Sequence, residues 1–112
     1  MKIVAAADHG GFEMKNQIVE DLRKQGFAVE DLGTNSADSV DYPDFAEKAT
    51  AKVLAGQADL GILVCGTGIG ISIAANRHKG IRAAILYDDY VAKVAREHNN
   101  ANVLCFGGRT MT

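Results

Sequence analysis

The sequence predicts a three-layer α/β/α domain built on a five-stranded parallel sheet. Short apolar runs alternate with longer amphipathic stretches along the chain, the pattern of repeated βαβ units with right-handed crossovers. The run Leu60-Gly61-Ile62-Leu63-Val64 carries no polar residue, as a strand buried on both faces requires. A glycine-rich turn, Cys65-Gly66-Thr67-Gly68-Ile69-Gly70, follows that strand and leads into a helix.

Lys2 to Ala7 reads as the first strand, with Asp8-His9-Gly10-Gly11 as the turn after it. A helix is expected from about Phe12 to Gln25, because Met14, Ile18 and Leu22 recur at i+4 and Val19 widens that face. Gly26 supplies its stop. Phe27 to Leu32 is the second strand, and Gly33 to Tyr42 is a polar loop long enough to suggest binding. Pro43 suits the first turn of a second helix, with Asp41 as its cap, a stripe of Phe45, Ala49 and Val53, and Gly56 at its end. The third helix reads from Ile71 to His78, closed by His78-Lys79-Gly80. Ile81 to Leu86 is the fourth strand. Asp88 or Asp89 caps a fourth helix with Val91, Val94, Ala95 and His98 on one face, and Asn102 to Phe106 is the fifth strand. The whole reads as one Rossmann-like domain over residues 1–112.

Composition narrows the partners. The net charge is −2 and there is no Lys/Arg run, which argues against nucleic acid and anionic membrane. No apolar run approaches the roughly 20 residues of a membrane span. The N-terminus leads directly into a strand, so no signal peptide is expected. Two cysteines in strand-like runs suit reduced thiols and a cytoplasmic setting, and with three scattered histidines they make a poor zinc set. Neither metal nor cofactor is expected.

Parallel sheets bind ligands outside the carboxyl ends of their strands. Asp8 and His9, the loop to Tyr42, Cys65 to Gly70, Tyr87 and Asp88, and Gly107 to Arg109 all follow strand ends, so they share one edge. The glycines at 66, 68 and 70 let bare N–H groups approach a ligand, and a helix N-terminus beside them favours an anion. The same setting favours thiolate over thiol at Cys65. Arg109 at a strand-end glycine turn suits phosphate. Cys105 lies inside the fifth strand and reads as core, and His78 as a cation closing a helix. His98 does not fit on the edge. Its helix of about ten residues, at ~1.5 Å per residue, carries it roughly 15 Å away, so any catalytic role would be played across a homodimer interface.

Known glycine-turn chemistries fit poorly. A phosphatase-type loop needs arginine after Cys and five residues, and position 71 is Ile. A nucleophile elbow needs glycines where Leu63 and Thr67 stand. The dinucleotide fingerprint belongs in the first βα turn, where this chain has Asp8-His9-Gly10-Gly11.

The set Asp8-His9-Gly-Gly, Asp41-Tyr42-Pro43, Cys65-Gly-Thr-Gly-Ile-Gly70 with Ser72 and Asn76, Glu97-His98-Asn99 and Phe-Gly-Gly-Arg109 closely resembles type B ribose-5-phosphate isomerases and galactose-6-phosphate isomerase subunits. The resemblance runs from Met1 to about Arg109. It implies metal-free aldose–ketose isomerisation through an enediolate in the pentose phosphate pathway, with Cys65 as the base, His98 as the ring-opening acid and Thr67 assisting. It implies substrate contacts from Asp8, His9, Tyr42, Gly66, Thr67, Gly68, Ile69, Gly70, Asn99 and Arg109. It also implies a homodimer or dimer of dimers with shared sites, acting on a phosphorylated sugar. In that family the chain continues after Phe-Gly-Gly-Arg into a helix with phosphate-gripping arginines, which this sequence, ending at Thr112, is expected to lack. Two alternatives to the ribose reading stand beside it. One is a galactose-6-phosphate isomerase subunit, and the other a catalytically weak sugar-phosphate-binding or assembly module.

Overall fold

Backbone pairing arranges the strands in the order β2-β1-β3-β5-β4, all parallel. These are β1 (Lys2–Ala7), β2 (Ala28–Asp31), β3 (Leu60–Cys65), β4 (Ala83–Ile85) and β5 (Val103–Gly107). The helices are α1 (Phe12–Lys24), α2 (Tyr42–Leu54), α3 (Ile69–Asn76) and α4 (Asp89–Glu97). The structure is a computed structural model that describes residues 1–111. Thr112, the end of the domain expected from the sequence, lies outside the described residues.

Side chains alternate across the sheet with period two, and both faces are covered. Val4, Ala6, Leu63, Cys65, Val103 and Cys105 face a layer that contains Ala46 and Ala49 of α2 and Ile71, Ala74 and Ala75 of α3. Ile3, Ala5, Ala7, Ile62 and Val64 face Val19 of α1. Leu104 and Phe106 meet Ala95 of α4 on that same second face. The connection from β1 leads outward to β2, whereas the connection from β3 leads the other way to β4. The carboxyl ends of β1 and β3 therefore flank a topological switch point, where chains diverge to opposite faces and leave a crevice.

Local chemistry moves several boundaries from those the sequence suggests. α3 begins at Ile69 rather than Ile71, because Gly68, at φ 82°, serves as its N-cap. It ends at Asn76, since the His78 N–H turns back to the Ala75 carbonyl in a tighter turn. β4 is three residues long, because the Arg82 N–H goes to the Asn102 side chain instead of the ladder. The exposed edge of β4 is blunted by Asn76, whose amide both donates to the Ala83 carbonyl and accepts from its N–H. Asp41 holds the N-cap position of α2 without a side-chain bond, whereas Asp88 caps α4 through Oδ1 to the Val91 N–H at 2.7 Å. Among the described residues, no helix is long and apolar enough to cross a membrane.

Candidate active site

Three chain segments meet backbone to backbone above the carboxyl ends of β1, β3 and β5. The Asp8 N–H donates to the Val64 carbonyl at 3.2 Å, and Asp8 Oδ1 accepts from the Gly10 N–H at 2.8 Å. Gly108 and Arg109 donate their N–H groups to the carbonyls of Cys65 (2.7 Å) and Gly66 (2.9 Å). Two positions of this junction have no room for a β-carbon. A Cβ at Gly11 would lie 2.5 Å from the Val64 carbonyl oxygen, and one at Gly108 would lie 2.6 Å from that of Gly10.

Cys65 ends β3 and is 5% exposed. The Gly68 N–H donates to its sulfur at 3.1 Å. The left-handed conformation of Gly68 turns that amide back onto the thiol while starting α3. A donor aimed at sulfur, at the positive end of a helix, stabilises negative charge there. Thr67 is exposed beside it, and its Oγ1 accepts from the Ile69 N–H at 3.1 Å. The second cysteine is different in kind. Burial, and then the nearby Cys65, push the Cys105 thiol up to about 12, so it stays protonated.

Next to Gly66 lies a cleft of about 230 Å³, lined among others by His9, Gly10, Glu13, Ala37, Gly108 and Arg109. The Arg109 side chain crosses its floor: a Cβ at Gly66 would sit 3.4 Å from Arg109 Cδ, and one at Gly10 would sit 3.4 Å from Cζ. His9 Nδ1 accepts the Val40 N–H at 3.2 Å, which docks the loop between β2 and α2 against the cleft. Tyr42 packs its ring on the first turn of α3, where a Cβ at Gly70 would come within 2.8 Å of Cζ. A larger groove, of about 480 Å³ along α1 and β2, is lined by Asn16, Val19, Glu20, Arg23, Lys24 and Asp31, with no cysteine or histidine among them.

The structure thus brings Asp8, His9, Tyr42, the turn from Gly66 to Gly70 and Arg109 to the same edge of the sheet as Cys65. Ile69 is half exposed at the rim. His98 and Asn99 lie elsewhere. They follow α4 on its return toward the start of β5, whose Val103 pairs with Gly61 near the beginning of β3, and both are exposed. Among the described residues no cluster of three or more His, Cys, Asp and Glu side chains could hold a metal ion.

Sequence reasoning missed Lys15. It is fully buried on α1, and its Nζ contacts Asp31 Oδ1 at 2.7 Å, Asp31 Oδ2 at 2.8 Å and Asn35 Oδ1 at 2.7 Å. The signal was present: Lys15 stands four residues before Val19 and shares its buried face.

A thiol at a helix N-terminus beside a cleft that carries Arg109, on a doubly covered parallel sheet, suits an α/β domain that holds a small anion against a nucleophile or base. Comparison with known proteins agrees. The family described as Ribose/Galactose Isomerase matches residues 3–112. Ribose-5-phosphate isomerase B of Escherichia coli is 47% identical over 110 residues, which are 98% of this chain and 74% of that protein. The solved ribose 5-phosphate isomerase of Thermotoga maritima superposes with a TM-score of 0.97 at 51% identity, covering 99% of this chain and 77% of that one. The type B ribose 5-phosphate isomerase of Trypanosoma brucei gives 0.94 at 50% identity, over 99% of this chain and 76% of that one. The chain belongs to the ribose/galactose isomerase family of sugar-phosphate aldose–ketose isomerases.

Proposed function

We propose that the chain interconverts ribose 5-phosphate and ribulose 5-phosphate through an enediolate, as a step of pentose phosphate metabolism in the cytoplasm. The single observation that carries this reading is the Cys65 sulfur under the Gly68 amide, beside the His9–Arg109 cleft, in a chain of this family.

The chemistry follows from the layout. The open-chain aldose enters with its phosphate on Arg109 and His9, and this remote binding positions the reacting carbons. The Cys65 thiolate takes the proton from C2, and the C–H electron pair becomes the C1–C2 double bond as the carbonyl oxygen gains charge. Amides of the turn from Gly66 to Gly70 stabilise that oxygen. Cys65 then returns the proton to C1, while the C2 hydroxyl gives its proton to the O1 oxyanion and becomes the carbonyl. Thr67 assists at the rim, and Asp8, Tyr42 and Ile69 shape the sugar site.

Ring opening needs an acid, and His98 is the residue we assign to it. Because His98 and Asn99 lie at the far edge of their own sheet, they would enter the site from a second copy, in a homodimer or a dimer of dimers with shared sites. A galactose 6-phosphate specificity is the second reading, favoured by the breadth of the family that matches.

The test is an isomerase assay on both sugar phosphates, with the mass in solution measured alongside. Turnover of ribose 5-phosphate by an assembled species, lost in Cys65→Ala while sugar-phosphate binding survives, is expected. Saturable binding without turnover of either sugar would reject the enzyme reading in favour of a binding module.

A further inference from the structure

Lys15 is a costly residue for a buried helix face. Removing an ammonium from water is unfavourable, and replacing a whole buried ion pair with packed apolar side chains often serves stability as well or better, whereas removing one partner alone strands the other charge. Its three protons are fully used, two on the Asp31 carboxylate and one on Asn35 Oδ1. Asp31 Oδ1 also accepts the Gly33 N–H at 2.9 Å, so the same carboxylate turns the chain out of β2.

What the lysine holds is a loop that reaches the active site. Asn35 stands two residues before Ala37, which lines the cleft beside Arg109. Five residues after Asn35, the Val40 N–H donates to His9 Nδ1. That bond has a chemical consequence. A neutral imidazole that accepts at Nδ1 must carry its proton on Nε2, so the loop selects which nitrogen of His9 can donate.

We propose that Lys15 is a positioning residue for the isomerase site: through Asn35 it fixes the loop from Thr34 to Asp41, which in turn sets the Nε2–H tautomer of His9 and the Ala37 wall of the cleft. This rests on the reading that the His9–Arg109 cleft receives the phosphate end of the substrate. The lysine touches no reacting atom. It acts through the loop on binding.

Asn35→Ala separates this role from simple support of the fold, because it cuts the loop link and leaves the Lys15–Asp31 pair intact. In the wild type at mildly alkaline pH, the imidazole 15N shifts of His9 are expected to report the Nε2–H form alone. In Asn35→Ala they should move toward a mixture of tautomers. KM for ribose 5-phosphate should rise on the order of fivefold with kcat within about twofold, as the loss of one hydrogen bond's worth of positioning implies. Lys15→Met should repeat both changes and also lower the urea midpoint. Val19→Ala, on the same buried face, should lower the midpoint while leaving KM and the His9 shifts alone.

Wild-type His9 shifts in Asn35→Ala would overturn the proposal, as would an equal rise of KM in Val19→Ala. If the tautomer moves but the wild type does not turn over ribose 5-phosphate, the positioning stands and the substrate reading fails.

Discussion

The Gly68 amide lies 3.1 Å from the Cys65 sulfur, and the same glycine, at φ 82°, is the N-cap of α3. One left-handed residue therefore both starts the helix and aims a donor at the thiol. Replacement by alanine puts an L side chain in that conformation and a Cβ 3.1 Å from the Phe106 carbonyl carbon. Gly68→Ala should cost about 1–2 kcal/mol of stability. Relaxation of the turn should also move the amide off the sulfur and lower kcat. Urea unfolding and steady-state kinetics check both, and unchanged kcat would show that the amide does not act on sulfur.

Cys105 should make the fold sensitive to base. Cys105 is held at about 12 in the folded protein by burial, against roughly 8.5 for a thiol in an unfolded chain. Between those values the unfolded state releases a proton that the folded state retains, so this group makes stability fall as pH rises. Its share reaches about 1.4 kcal/mol per pH unit and vanishes below the unfolded value. Urea midpoints followed from neutral into alkaline pH should fall more steeply for the wild type than for Cys105→Ala. Equal slopes would show that Cys105 ionises freely.

Arg109 lies over two glycines, Gly10 and Gly66, that give its guanidinium room. Arg109→Met keeps the stem and removes the charge. A charge-assisted contact to phosphate is worth enough that KM should rise on the order of tenfold or more, with a smaller effect on kcat. The sensitivity of KM to salt should fall as well. An unchanged KM would place the phosphate elsewhere.

If the site is shared between copies, two inactive variants should complement each other. Mixed after unfolding and refolding together, Cys65→Ala and His98→Asn form dimers at random, and one site in each mixed dimer keeps both groups. Recovery of about a quarter of wild-type activity is expected from that counting. Absence of any recovery, with mixed dimers demonstrated by mass, would assign His98 to its own chain or to no catalytic role.

Much of the fold was legible because its signals are local. The apolar run from Leu60 to Val64 marks a strand covered on both faces, and the 14–18–22 spacing with Val19 marks the buried face of α1. The convergence of Asp8, Cys65 and Arg109 also followed from order alone, since all three stand just after strands of a parallel sheet. The strand order β2-β1-β3-β5-β4 was not legible, because pairing is non-local and the swap of β5 and β4 leaves no trace in spacing. Nor was the start of α3, which depends on the φ of Gly68. Lys15 was missed because a charged residue reads as solvent-facing until its partners are known, and Asp31 and Asn35 are 16 and 20 residues away. The Tyr42 ring on Gly70 joins two turns that only the folded sheet brings together.

The most direct measurement concerns the carbon-bound proton. Ribose 5-phosphate would be incubated in D2O with the wild type and with Cys65→Ala, and both rate and deuterium at C1 and C2 followed by NMR. The wild type should isomerise the sugar and introduce deuterium at the transferred position. Cys65→Ala should bind it yet lose isomerisation by roughly 10²–10⁴-fold, the usual weight of a general base. Isomerisation by Cys65→Ala at the wild-type rate would contradict the assignment of Cys65 as the base.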